Sequence, residues 1–164
     1  MVDRLGNQQA FRRVIWLLPL AFASHIAEEY LGNFPGWVTN VVGGSFNNEA
    51  FAANNAAFFA IMVALTAWTS RTGSRRASTL LILWASGNVF WDALFHVGMT
   101  AATDRYSPGL VTAAILYLPI SPIVAFACVA SGTLTPAGFA RACGAGLFLF
   151  AFVVWYGLFH FALP

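Results

Sequence analysis

A histidine at position 25 is followed three and four residues later by the adjacent carboxylates of Glu28 and Glu29, and a second histidine, His96, follows Asp92 by four. Residues three and four apart share a helix face, so each group sets an imidazole beside a carboxylate, and Asn88, Asp92 and His96 form one stripe. Imidazoles and carboxylates projecting from facing helices hold one or two ions in helical bundles. The same groups can instead move protons, a buried glutamic acid giving its proton to an alkene while a histidine or aspartate takes one elsewhere.

The elements that must position these residues are membrane spans. Arg12 and Arg13 lead into an apolar run over 14–27, where an ionisable group costs roughly 2.5–3.5 kcal/mol on the mildest insertion scales. Two glutamates and a histidine there need a partner, a bound ion or a water-filled cavity. Composition agrees: 59% of the 164 residues are hydrophobic and 9% charged, against about 45–50% and 25% in soluble domains. Four further apolar stretches, near 50–70, 77–100, 110–131 and 142–163, each approach the ~20 residues of a spanning helix. The expected fold is all-α, a single bundle domain over 1–164 with five transmembrane helices. A membrane barrel would show short alternating segments, and these runs are continuous.

All eight basic residues are arginine, and Arg4, Arg12, Arg13, Arg71, Arg75, Arg76 and Arg141 fall on one side of such a bundle, leaving Arg105 on the other. The positive-inside rule then places the N-terminus inside and the C-terminus outside, as expected of a multi-pass protein of a bacterial inner membrane. The first span has a basic start without a small-residue cleavage site and is expected to be a retained anchor. Cys128 and Cys143 sit in apolar stretches and read as buried thiols. A net charge of +2 does not point to nucleic acid; the expected partners are membrane lipid and a hydrophobic small molecule, with a homo-oligomer left open.

The arginines serve as a ruler. Glu29, Asp92 and Asn55 each lie sixteen residues from an inner arginine, about 24 Å along a continuous helix. His25 and Asn88 come in one turn lower, His96 one turn higher. The polar groups sort into the outer half, so the sequence predicts one polar chamber there, closed below by apolar residues. Asn54, Asn55, Asn88, Trp91 and Tyr106 are candidate substrate-binding residues of its wall; His160, near the C-terminus, reads as an interface residue. The link 31–48, aromatic and punctuated by Phe34-Pro35-Gly36-Trp37 and Gly43-Gly44, is expected to lie over the chamber as a lid. Pro119 and Pro122 should kink the fourth span beside Ser121.

His25-Ile26-Ala27-Glu28-Glu29 resembles the pattern that names the HXXEE-motif membrane proteins, and His96 with Tyr106-Ser107-Pro108-Gly109 matches that family's further histidine and its Tyr-x-Pro-Gly element. The resemblance covers roughly residues 20–110 and implies that His25, Glu28, Glu29, His96 and Tyr106 belong to one site, without naming its chemistry. The first reading is a membrane metalloenzyme in which His25, Glu28, Glu29, Asp92 and His96 are both ligands and catalytic groups, acting on a lipid-like or isoprenoid substrate. Nitrogen and oxygen donors without thiolate suit Zn, Fe or Mn. The second is a metal-free isomerase or cyclase acting by proton transfer to an alkene, with Trp91 and Phe95 steadying a cation. The third is a carrier or binding protein for a metal or small solute.

Overall fold

The computed structural model describes residues 2–161, and all regular structure among them is helical. Five helices are long and apolar enough to cross a membrane: α1 (Leu5–Leu31), α2 (Asn48–Thr72), α3 (Arg75–Thr103), α4 (Leu110–Ala130) and α5 (Pro136–His160). The expected end of the fifth span at Leu163 lies outside the described residues.

Each helix begins and ends for a local reason. The side chains of Asn47, Ser74 and Thr135 accept backbone N–H groups of Ala50, Ala77 and Gly138 and so cap α2, α3 and α5; such caps satisfy donors that a helix start leaves open. Gly73 at φ +59° closes α2 in the left-handed conformation, and the Arg12 guanidinium lies against it, so the start of α1 and the α2–α3 turn share one end of the bundle. At the same end the Asn7 amide donates to the carbonyl of Ala130, the last residue of α4.

Three helices depart from α geometry. α1 is interrupted by a turn at Ile15–Trp16, where Pro19 has no N–H to offer the Ile15 carbonyl. α3 contains a π-helical stretch at Ser86–Trp91, directly before Asp92. α4 contains another at Ala113–Tyr117, just ahead of Pro119, and the Ser121 hydroxyl donates to the Tyr117 carbonyl. π turns inside α-helices recur at functional sites.

α3 is the centre of the bundle and packs against α2 and α5, while α1 packs against α2 and α4. α3 and α5 approach closely at Gly87 and Gly146, where a Cβ on Gly146 would stand 1.9 Å from the Ser86 hydroxyl. Small residues at such crossings let backbones meet in a membrane. One apolar core, including Leu18, Phe22, Met62, Leu81 and Val124, fills the middle of the bundle. A second gathers Phe34, Trp37, Val38, Phe46, Phe51 and Leu158 around the α1–α2 link. Leu20, Ile115, Phe126 and Phe148 point outward, as helices surrounded by hydrocarbon require. The link is a short helix over Phe34–Trp37 that runs on as a π turn through Val38–Val42.

Candidate functional site

α1 buries Leu18, Ala21, Phe22, His25 and Glu29, the 3.6-residue stripe that faces the core. His25 is 1% exposed and Glu29 7%. On α3 the π turn is followed by regular helix, in which Asp92 and His96 stand one turn apart; His96 is fully buried. The two histidine rings meet edge to face with centroids 4.8 Å apart.

Four donor atoms converge there. His25 Nε2 is 3.1 Å from Asp92 Oδ2 and 3.6 Å from Glu29 Oε1; His96 Nε2 is 3.6 Å from each of the same two oxygens. Ligands held about 2.0–2.2 Å from a tetrahedral ion are about 3.3–3.6 Å from one another, so three of the four contacts have the spacing that a ligand shell would need and the fourth is shorter. His25, Glu29 and His96 form a buried group in which one ligand atom from each lies within 4.8 Å of the others.

The opposite ring nitrogens are held by hydroxyls. His25 Nδ1 is 2.9 Å from Thr112 Oγ1, and His96 Nδ1 is 2.9 Å from Ser107 Oγ. The Thr112 hydroxyl donates to the Gly109 carbonyl, and its only proton is then committed. With that proton on the carbonyl, His25 Nδ1–H donates to Thr112 Oγ1, and Nε2 faces the two carboxylates. Neither Nε2 has a hydrogen-bond partner among the described residues. Lone pairs converging on carboxylates repel unless positive charge sits between them. One divalent cation between neutral imidazoles, or one proton on each Nε2, balances the two carboxylates.

The segment supplying both hydroxyls is anchored by Glu28. Its Oε1 accepts from the N–H groups of Gly109 and Val111, at 3.1 and 3.0 Å, and from the Tyr106 hydroxyl; its Oε2 accepts from Thr112 N–H at 2.6 Å. A carboxylate at the start of α4 satisfies the open donors and suits the helix dipole. Burial and the bond to Glu28 push the Tyr106 phenol up to about 12, so it remains a donor at physiological pH. Pro108 lies against Gly32, where a Cβ would stand 2.7 Å away. Gly109, at φ +108°, passes beside the imidazoles: a Cβ there would be 2.6 Å from His25 Cε1 and 2.7 Å from His96 Cε1. Each residue of Tyr-Ser-Pro-Gly thus has its own contact with the first span or with His96.

The remaining sequence candidates divide. Asn54, Asn55 and Asn88 join His25, Glu29 and Asp92 in lining a cavity of about 80 Å³, with Phe22, Phe34, Phe46, Phe58 and Phe95 among its aromatic walls. The α1–α2 link lines this chamber through Phe34 and Phe46, and the Phe34 ring stands 5.8 Å from that of His96. Glu28 does not join the cluster, because its oxygens are taken by the α4 start. Trp91, expected in the chamber wall, turns to α5 and donates its indole N–H to the Cys143 carbonyl at 3.0 Å. Tyr106 is half exposed and engages Glu28 in place of the chamber. His160 is exposed, with Nδ1 3.0 Å from the Trp155 carbonyl.

Sequence reasoning missed Ser107 and Thr112 as partners of the histidines, and Tyr117, whose fully buried ring lies 4.6 Å from that of His25 and whose hydroxyl has no partner among the described residues. Ser107 lay inside the Tyr-x-Pro-Gly element, in the place where that pattern names no residue type. Nothing in the periodicity of α4 singles out Thr112 or Tyr117.

A family model described as a protein of unknown function with HXXEE motif matches residues 16–124. That stretch contains all four converging donors, Glu28 and the 106–112 segment. No curated protein and no solved structure matches the chain.

Proposed function

The chain belongs to the HXXEE-motif family, whose function is unknown, and from that premise and the geometry above we propose that it is a membrane metalloenzyme with a two-histidine, two-carboxylate centre, acting on a lipid-like or isoprenoid substrate. The observation that carries the reading is the pair of buried Nε2 atoms that face Glu29 and Asp92 at 3.1–3.6 Å. Zn, Fe or Mn suits these donors. A bound ion would supply a Lewis acid able to activate water or dioxygen.

The residues do the rest. Thr112 and Ser107 fix the imidazole orientations, the role that outer-shell hydrogen bonds play at metal sites. Asp92, 22% exposed at its side chain, is the more accessible carboxylate, and is suited to take a proton from a reactant in the chamber. Asn54, Asn55 and Asn88 offer amide donors and acceptors to a polar head. Phe34 and Phe46 limit bulk water above. We place the arginine-rich end in the cytoplasm, which puts the centre in the outer half of a bacterial inner membrane.

One observation favours a second reading. The 3.1 Å separation of His25 Nε2 and Asp92 Oδ2 also suits a proton shared between them, and the same groups would then serve a metal-free isomerase or cyclase. The test is to incubate the protein, stripped or loaded with Zn, Fe or Mn, in vesicles of total membrane lipid extract and follow the lipids by mass spectrometry. The metalloenzyme reading expects lipids that change with loaded wild type and not with stripped protein or Asp92→Asn. Turnover by stripped protein would favour proton chemistry, and bound metal without any lipid change would leave a carrier.

A further inference from the structure

The chamber is too small for the substrate proposed above. About 80 Å³ holds a few water-sized molecules, against roughly 300–1,000 Å³ for sites that enclose a drug-sized ligand. The body of a lipid must therefore lie elsewhere, with only its reacting end at the centre.

A groove of about 460 Å³ runs between α1 and α2 on the outer surface of the bundle. Its floor includes Ala23, Ala27 and Tyr30 from one helix and Ala52, Ala56 and Phe59 from the other, each set spaced by four and then three so that one face of each helix is hollowed. Seven residues of helix extend it about 10 Å along the bundle. Asn55 lines both this groove and the chamber, with its amide N–H donating to the Phe51 carbonyl at 3.1 Å. Two other apolar cavities, one of about 350 Å³ bounded by Ile82, Phe90, Pro122 and Cys143 and one of about 470 Å³ bounded by Val14, Ile123 and Phe126, share no lining residue with the chamber.

We propose that the α1–α2 groove is a lateral portal: a single-chain lipid with a small uncharged polar head lays its chain there and passes its head by Asn55 into the chamber. The inference rests on the metalloenzyme reading for the chemistry at the far end, but the portal is a separate structural claim. The occupant follows from three features. The groove lies within the membrane-spanning length of both helices, so hydrocarbon fills it. Its shared residue is a neutral amide, suited to a hydroxyl or carbonyl. The chamber volume excludes a phosphoglycerol head, and His25, Glu29 and Asp92 line the chamber that the smaller head would enter.

The test uses the full chain in phosphatidylcholine vesicles with a trace of hexadecan-1-ol carrying a photoactivatable diazirine, beside the hydroxyl in one probe and at the chain end in the other. Label from the first should fall on Asn54, Phe58 or Asn88, and from the second on the groove. Ala52→Trp and Ala56→Trp fill the groove without touching the converging donors and should lower both labels at least five-fold, whereas Ala151→Trp on an exposed face of α5 should leave them unchanged. Label spread evenly over all outward faces, or insensitive to the two groove variants, would overturn the portal. Metal is assayed on the same samples. Groove labelling in protein that never holds metal would sustain the portal and sink the metalloenzyme reading.

Discussion

Glu28 and Glu29 are neighbours in the chain with different tasks. Replacing Glu28 by Gln removes the charge from an acceptor that serves three backbone N–H groups and a phenol; bonds to a charged group are worth about 1.5–3 kcal/mol, nearer the lower figure here because the carboxylate is only partly buried. The expected result is a lowered thermal unfolding temperature in detergent with metal retained. Glu29→Gln should do the reverse, reducing metal affinity at least 100-fold with little change in unfolding. Equal effects on both properties in both variants would show that the pair acts as one unit. Ser107→Ala and Thr112→Val should each weaken metal binding about 10–100-fold, as losses of outer-shell partners do, measured by competition with a chelator of known affinity. Protons compete with a metal ion for both Nε2 atoms, so affinity must fall as pH falls. At this scale the sequence disclosed the histidines, Asp92 and the glutamate pair but not the division between the glutamates, because both lie within one turn of His25. That division depends on where the α4 start docks.

The 106–112 segment acts as one element. It folds back across the bundle through Gly109, whose positive φ and contact with both imidazoles leave no room for a side chain. Gly109→Ala should therefore lose stability and metal together. Gly132→Ala is the control: its φ is +71° with nothing within 4 Å of an added Cβ, so it carries only a backbone penalty of about 1 kcal/mol and should keep full metal content. Helical periodicity located α3 but not its π turn, and Trp91, expected in the chamber wall, sends its indole to α5. A pattern of 3.6 residues carries no mark of an inserted residue. The interplay of Gly109 with two histidines on two helices is likewise a long-range contact that local spacing does not encode.

Five helices, their order and the common level of Asn55, Glu29 and Asp92 were legible because hydrocarbon imposes length and apolarity on every span. The chamber's small size was not, since it depends on how Phe34 and Phe46 fold over it. The proposed orientation is testable with single cysteines in a Cys128→Ser, Cys143→Ser background: a membrane-impermeant thiol reagent added to intact cells should label Asn40→Cys and spare Thr72→Cys, and the opposite pattern would invert the topology. The most direct measurement on the whole molecule is elemental analysis by mass spectrometry of the purified protein after repletion with Zn, Fe and Mn, beside a His25→Ala, His96→Ala double variant. A stoichiometric ion in the wild type that is lost in a folded double variant is the predicted result. A wild type that holds no metal, or a double variant that holds as much, would contradict the account.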